Sequence, residues 1–385
     1  MKIYYITRSY FPMQTGGTIV RKKYVELLKQ NGFDVEVLTV DYRNNSYYKT
    51  SIDGINVIYF PYTINLRIGM CLERIGVLED YLDYWCRNVV TYLRTRANSE
   101  DVLFCTSGGE LAAIKVGSLL KKINGCKFIV NLHDPIDYTI VCNKKIDKKF
   151  HVSREESEKK YISNSDLIIT SSNTLKESLC HKYSNIKLNI INGYFGYIEE
   201  MNAKKKKNSD GTLNIVYGGN FGELQRPEIF AKVALEVKGV HVHFVGNSSK
   251  YSPVSIFRGN KNVHFYDFMK YDEYCRFVCE KMDCGCVSLT SDYLGACVPS
   301  KIYEFINLAT PMIACLPKGD AKDLIEKEQF GCSCLYSDME KLYEILKQMK
   351  RRTIWENYRE NIVSKRKSWA MSERIKPIIK IIRNL

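Results

Sequence analysis

Four short stretches of this 385-residue chain combine residue types that could hold an anionic ligand or move a proton. In Val298-Pro299-Ser300-Lys301-Ile302-Tyr303-Glu304-Phe305, Ser300 is suited to N-cap a helix beginning at Lys301. A helix start presents free N–H groups, and Lys301 adds a positive charge. Together they suit a diphosphate. Glu304 lies one turn on, where a carboxylate could accept two hydrogen bonds from a ribose diol. The helix dipole alone also favours an acid there. The stretch Tyr217-Gly218-Gly219-Asn220-Phe221-Gly222, followed by Gln225-Arg226-Pro227-Glu228, offers backbone amides for a phosphate. Arg226 could add a charge-assisted bond or simply be solvated. Gly16-Gly17, in Tyr10–Thr18, would let the backbone approach a ligand closely, or form a tight turn. It does not read G-x-G-x-x-G, so a dinucleotide fingerprint is unsupported. His133-Asp134-Pro135 supplies an imidazole that exchanges protons near neutral pH. Asp134 could contact a substrate hydroxyl, orient a neighbour or cap a turn. His151, His181, His241, His243 and His264 lack comparable placement and read as structural or surface residues.

These stretches follow apolar, β-rich runs. Strands are expected at Ile3–Thr7, Val35–Val40, Ile55–Phe60, Val102–Cys105, Lys127–Asn131, Leu167–Thr170 and Leu188–Ile191. Helical stretches lie between them at Ile19–Gln30, Val77–Arg96 and Leu111–Lys122. The pattern restarts at Asn214–Tyr217, Val242–Val245, Val263–Tyr266, Cys286–Leu289 and Met312–Cys315. Its helices are expected at Pro227–Val237, Tyr271–Lys281 and Lys301–Leu308. Alternation of this kind implies parallel sheets covered on both faces. The fold class is therefore α/β, with two doubly wound Rossmann-like domains facing a cleft. Ligands bind such sheets at their carboxyl edges. The expected domains are 1–203 and 212–365, joined by the polar run Lys204–Gly211. Residues 366–385 form a last segment.

Composition excludes a disordered or collagen-like chain: 45% of residues are hydrophobic and 26% charged. The net charge of +14 suggests an anionic partner. Residues 341–385 hold 13 basic and 4 acidic side chains, so much of the excess sits there. The 14 cysteines, without a secretory leader, read as reduced cytosolic thiols. Cys284-x-Cys286 and Cys332-x-Cys334 fit small apolar side chains on strands, and no zinc spacing is present. No apolar stretch reaches the ~18–20 residues of a membrane span. Nucleic acid is not expected as a partner, because no aromatic-basic platform appears.

Taken together, these residues resemble the retaining GT-B glycosyltransferases of family 4, and within them bacterial surface-polysaccharide transferases. The resemblance runs from Gly16-Gly17 through His133-Asp134-Pro135 and Asn164–Thr170 to Pro299–Glu304. It implies transfer of a sugar from a nucleotide diphosphate sugar to a hydroxyl acceptor. It assigns Ser300, Lys301 and Ile302 to the donor diphosphate and Glu304 to the ribose. It places Gly16, Gly17, Gly219, Asn220 and Arg226 near the donor, with His133 beside the transferred sugar. Gly246 would close over the cleft, and the loop Asp267-Phe268-Met269 would meet the base. Residues 366–385 would pack back on the first domain. His133 and Glu304 are the expected catalytic residues, and Asp134 the acceptor contact. Two departures stand out: Ala296 occupies the place of a usual first glutamate, and Asn220 that of a usual arginine. A UDP-sugar is the favoured donor, with no cofactor and no metal. The acceptor is expected to be a glycan or a lipid-linked glycan, bordered by Asn65–Asp83 and Lys144–Lys160. The expected place is the cytoplasm, peripheral to the inner face of the cell membrane if the basic tail docks there. A solvated, folded-back tail is the alternative. A non-catalytic GT-B scaffold and a nucleotide-sugar epimerase also remain open.

Overall fold

A computed structural model describes residues 1–13, 15–43, 46–136, 148–201 and 211–385. The chain divides into two compact units, Met1–Phe195 with Ile375–Leu385, and Gly196–Arg374. Both are α/β, with parallel sheets. Most of the expected linker Lys204–Gly211 lies outside the described residues.

The first unit holds β1 (Lys2–Thr7), β2 (Asp34–Asp41), β3 (Tyr48–Ile52), β4 (Ile55–Pro61), β5 (Val102–Gly108), β6 (Lys127–Asp134), β7 (Leu167–Thr170) and β8 (Ile190–Asn192). Its helices are α1 (Gly16–Gln30), α2 (Leu66–Arg74), α3 (Asp83–Leu93), α4 (Ala112–Asn124), α5 (Lys148–Ile162) and α6 (Asn173–Lys182). The sheet order is β3-β4-β2-β1-β5-β6-β7-β8. All pairings are parallel except β3 with β4. β1, β5 and β7 are buried along their length, as strands covered on both faces must be. The strand order reverses between β1 and β5, which fixes the ligand-binding edge.

The second unit holds β9 (Leu213–Gly218), β10 (Val240–Val245), β11 (Val263–Tyr266), β12 (Cys284–Ser288), β13 (Met312–Leu316) and β14 (Gly331–Leu335). The order is β11-β10-β9-β12-β13-β14, all parallel, with the reversal between β9 and β12. Around it run α7 (Glu228–Ala234), α8 (Ser252–Ser255), α9 (Tyr271–Lys281), α10 (Ser300–Asn307), α11 (Asp320–Lys327), α12 (Met339–Met349), α13 (Arg352–Lys365) and α14 (Met371–Arg374). Tyr217, Phe230, Phe244, Ile313 and Leu346 form the centre of its core. Tyr197 N donates to Trp369 O at 3.0 Å, and Met371 N to Tyr197 O at 2.9 Å. These bonds tie residues after 195 to the end of this unit.

A final helix, α15 (Lys376–Ile382), belongs to the first unit. Ile378, Ile379 and Ile382 are buried there, and Arg383 donates to Asn31 O at 2.8 Å. The isoleucines of this tail segment are thus spent on packing.

One expected element differs and one strand was not anticipated. The helix expected over Val77–Arg96 is confined to Asp83–Leu93. Asp83 Oδ2 accepts from Glu79 N at 2.9 Å and Asp80 Oδ1 from Leu82 N at 2.9 Å, so side chains capture the amides ahead of it. β3 was not expected. It pairs with β4 across a two-residue turn, Asp53-Gly54, both at positive φ (52° and 73°).

Candidate active site

In the second unit the carboxyl ends of β9 and β10 turn on glycines. Gly219 (φ 113°) donates to Val245 O at 3.1 Å, and Gly246 (φ 126°) to Tyr266 O at 3.0 Å. A Cβ at Gly246 would stand 3.0 Å from Gly219 O. A Cβ at Gly219 would stand 2.5 Å from Lys301 Nζ. Glycine at 219 thus leaves room for the ammonium, which lies 5.6 Å from the Tyr217 ring centroid. The loop from Asn220 to Arg226 is held in place. Tyr217 Oη donates to Asn220 O at 2.7 Å, and Thr290 N to Leu224 O at 2.9 Å. Ser288 Oγ donates to Gln225 O.

α10 starts beside this loop's ammonium partner, since Lys301 is its second residue. Pro299 is the N-cap and Ser300 the first helical residue, with no side-chain capping bond. The expected role of Ser300 as N-cap is therefore corrected. The extended ψ of 136° falls on Pro299, so the boundary sits one residue earlier. Ser300→Ala is expected to cost under about 0.5 kcal/mol, where a true cap costs about 1 kcal/mol; thermal melting of the variant checks this. Ile302 is fully buried and its N–H donates to Pro299 O at 3.0 Å, leaving the Ser300 and Lys301 amides to face a ligand.

Lys301 and Glu304 are half-buried. Among the described residues neither side chain has a hydrogen bond or an ion pair. Burial lowers the Lys301 pKa, and Glu304 draws it partly back. Burial raises the Glu304 pKa, and Lys301 draws it partly down. The result is an uncommitted cation and carboxylate beside two free amides, at the reversal of strand order. Arg226 differs: its Nε lies 3.3 Å from Glu228 Oε1, so its charge is already answered. Phe268 follows β11 and is 84% exposed. Ala296 ends a short 3-10 turn, Asp292–Ala296.

In the first unit, Gly16 and Gly17 open α1 behind Thr15, which forms a reciprocal capping box with Thr18. Nothing lies within 4 Å of a Cβ placed at Gly16. β6 carries one extra residue, His133, opposite the Ser107–Gly108 step of β5. Such a bulge re-aims side chains at a strand end. A Cβ at Gly108 would lie 3.0 Å from Arg21 Nη2, 3.6 Å from Arg8 Nη2 and 3.6 Å from Asp134 Oδ2. Two guanidinium groups and a carboxylate thus converge at the end of β5. Arg8 pairs with Glu110 at 3.2 Å, and buried Arg21 bonds Ser9 Oγ while its Nε has no partner among the described residues.

His133 is buried against Phe195, with ring centroids 4.5 Å apart, and its Nε2 lies 3.2 Å from Asn131 Nδ2. Burial, then the charge of Arg21, holds its pKa well below the ordinary histidine value. The surroundings thus work against the protonated imidazole that was expected to exchange protons near neutral pH. Arg8 and Arg21 were missed as site residues. The available signal was position, since Arg8 directly follows β1 and Arg21 lies one turn beyond Gly17.

No family model matches the chain, and no curated protein matches it. Solved structures do. Sucrose-phosphate synthase from Thermosynechococcus elongatus is 14% identical, covering 100% of this chain and 98% of its own, with a TM-score of 0.70. The lipopolysaccharide outer core galactosyltransferase WaaB, in its apo form, is 14% identical over 100% of both chains, also at 0.70. Anabaena Alr3699/HepE in complex with UDP and glucose is 14% identical over 100% of both chains, at 0.66. The fold is that of the GT-B glycosyltransferases. At these identities the likeness speaks for the fold alone.

Proposed function

We propose that the protein transfers a sugar from a nucleotide diphosphate sugar to a hydroxyl acceptor, with retention at the anomeric carbon and without a metal. One observation carries this reading: Lys301 and Glu304, without a hydrogen bond or ion pair among the described residues, flank the helix-start amides of α10 at the strand-order reversal of the second unit. The departing diphosphate gains negative charge as the anomeric C–O bond breaks. A preorganised ammonium and amides stabilise that charge better than reorganising water does. Glu304 is left for the ribose diol, and Phe268 offers an apolar surface to the base. UDP is the favoured nucleotide, in keeping with the HepE complex with UDP and glucose. Asn220 and Gly246 border the donor through their backbone, and Arg226 borders it with its charge already met by Glu228.

The convergent Arg8, Arg21 and Asp134 group is assigned to the acceptor side, with Gly16 and Gly17 opening toward it. His133 acts there as a neutral polar contact and not as a proton carrier. The acceptor proton leaves with the departing phosphate, the base that bond cleavage itself creates. The reaction is proposed to serve polysaccharide or glycan assembly in the cytoplasm, at the inner face of the membrane where the acceptor is lipid-linked. Among the described residues no helix is long and apolar enough to cross a membrane.

A panel of nucleotide sugars, with mass-spectrometric readout of transfer and slow hydrolysis, tests this. One donor is expected to release its nucleotide diphosphate, faster with acceptor present. An isomerised sugar formed without acceptor would point to an epimerase instead. No calorimetric binding of any nucleotide diphosphate would leave a non-catalytic scaffold, the reading that Ala296 favours.

A further inference from the structure

We propose that Tyr274 is a positioning residue for donor recognition: once a nucleotide is bound, the Tyr274 hydroxyl donates to the Glu304 carboxylate and fixes that group for the ribose diol. This deepens, and rests on, the sugar-transfer reading above. Tyr274 ends the first turn of α9, where its N–H donates to Lys270 O at 2.9 Å. The side chain is 8% exposed, and among the described residues its oxygen has no hydrogen-bond partner. The ring lies against the last residue of β9: a Cβ at Gly218 would stand 2.6 Å from the Tyr274 oxygen. Glycine at 218 thus makes room for this phenol, as glycine at 219 does for the Lys301 ammonium. The neighbouring phenol, Tyr217, is already committed to Asn220 O. Phenylalanine at 274 would fill the same space without burying an unanswered hydroxyl, which costs stability.

Helix packing supplies the partner. α9 and α10 both run back from the carboxyl edge of one parallel sheet, so they point the same way. Cys279 Sγ meets Leu308 O at 3.9 Å, which sets their register. One turn back on each helix are Cys275 and Glu304, and Tyr274 directly precedes Cys275. The electrostatics agree. Burial first, and the Glu304 charge next, raise the Tyr274 pKa. The same charge also contributes at Tyr271 and Cys275, behind burial. The phenol therefore keeps its proton and can donate it in a hydrogen bond. A carboxylate has lone pairs enough for Tyr274 and two ribose hydroxyls together. Anchored on one side, Glu304 has less rotational freedom left for the diol to freeze. Tyr274 acts on the ribose only through Glu304, so its effect falls on donor affinity rather than on bond breaking.

The test is calorimetric titration of the full chain with UDP, ADP and GDP, then with the 2′-deoxy form of the one that binds, beside thermal melts of the free protein. Tyr274→Phe should weaken binding of that nucleotide about tenfold, the size expected for one hydrogen bond to a charged group. The preference over the 2′-deoxy form, about tenfold in the wild type, should fall to about twofold. The melting temperature of the free variant should hold or rise, because the hydroxyl has no partner there to lose. In steady state the donor KM should rise about tenfold with kcat within about twofold, since Lys301 and Glu304 both remain. Added to Glu304→Ala, Tyr274→Phe should change affinity by no more than about twofold. The inference is overturned if Tyr274→Phe binds the nucleotide like the wild type, or if its loss adds in full to that of Glu304→Ala. It is equally overturned if the melting temperature falls with the affinity, which would make the role structural. Those results leave wild-type nucleotide binding, and with it the sugar-transfer reading, intact. A wild type that binds none of the three nucleotides removes that reading and this inference together.

Discussion

Lys301→Ala is expected to lower turnover of the sugar donor by about 10²–10³-fold, a size typical for loss of one preorganised charge-stabilising group. The fold should survive, because the ammonium makes no hydrogen bond or ion pair among the described residues. Its loss removes a contact with the Tyr217 ring and leaves space beside Gly219. Glu304→Ala is expected to act twice. It removes a partner for the ribose, which raises KM. It also removes the carboxylate that holds the Lys301 charge up against burial. The Lys301 pKa then falls further, and the alkaline limb of the kcat profile moves to lower pH. Glu304→Gln should show the same shift with a smaller rise in KM. Steady-state kinetics across pH, beside thermal melts, read all of these. Full activity in both alanine variants would remove the donor-site assignment.

Arg154→Ala is expected to destabilise the first unit by about 3–5 kcal/mol. The guanidinium is buried and bonds Glu73, Ile136 O at 3.1 Å and Gly109 O at 2.8 Å. It also lies 3.6 Å from Asp80 Oδ2. Removing it leaves two carboxylates facing one another in a dry place. The pair is already strained: burial and the charge of Asp80 push Glu73 up to about 7, against the pull of Arg154. Its native pKa thus exceeds the unfolded value of about 4.3. The native state binds the extra proton between those two values, so this group's contribution to stability declines as pH rises from about 4.5 to 7. Arg154→Ala should steepen that decline, and adding Glu73→Gln should recover part of the loss. Urea denaturation of the single and double variants at several pH values measures both. A loss below about 1 kcal/mol would show that water reaches the site.

Most strands could be read ahead of the structure because parallel strands buried on both faces become plain apolar runs. Ile3–Thr7 and Leu167–Ile169 are of this kind. The site residues that could be anticipated follow from the same fact, since what comes directly after such a run sits at a carboxyl edge. Where local rules competed, anticipation failed. Tyr48–Ile52 is a mostly exposed edge strand with no apolar run, and only the Asp53-Gly54 turn betrays it. Asp80 and Asp83 hold amides that a helix over Val77–Arg96 would have used. Arg8 and Arg21 were not anticipated because nothing local distinguishes a guanidinium that will converge with another at a sheet edge. Their meeting at Gly108 depends on three strand or helix ends far apart in the chain. The acidity of His133 was out of reach for the same reason: it depends on Phe195 and Arg21, 62 positions later and 112 earlier.

The first unit is built from both flanks of the second, and this has a consequence for synthesis. When Phe195 leaves the ribosome, the cavity that Ile378, Ile379 and Ile382 will fill is still open. Another 179 residues, Gly196 to Arg374, must be made before those side chains exist. At roughly 5–20 residues per second, the earliest-made sheet waits on the order of 10–40 s with an apolar seam exposed. The nascent chain is therefore most prone to chaperone capture or misassociation late in translation, and ribosomes stalled before codon 375 should display it as a protease-sensitive first unit.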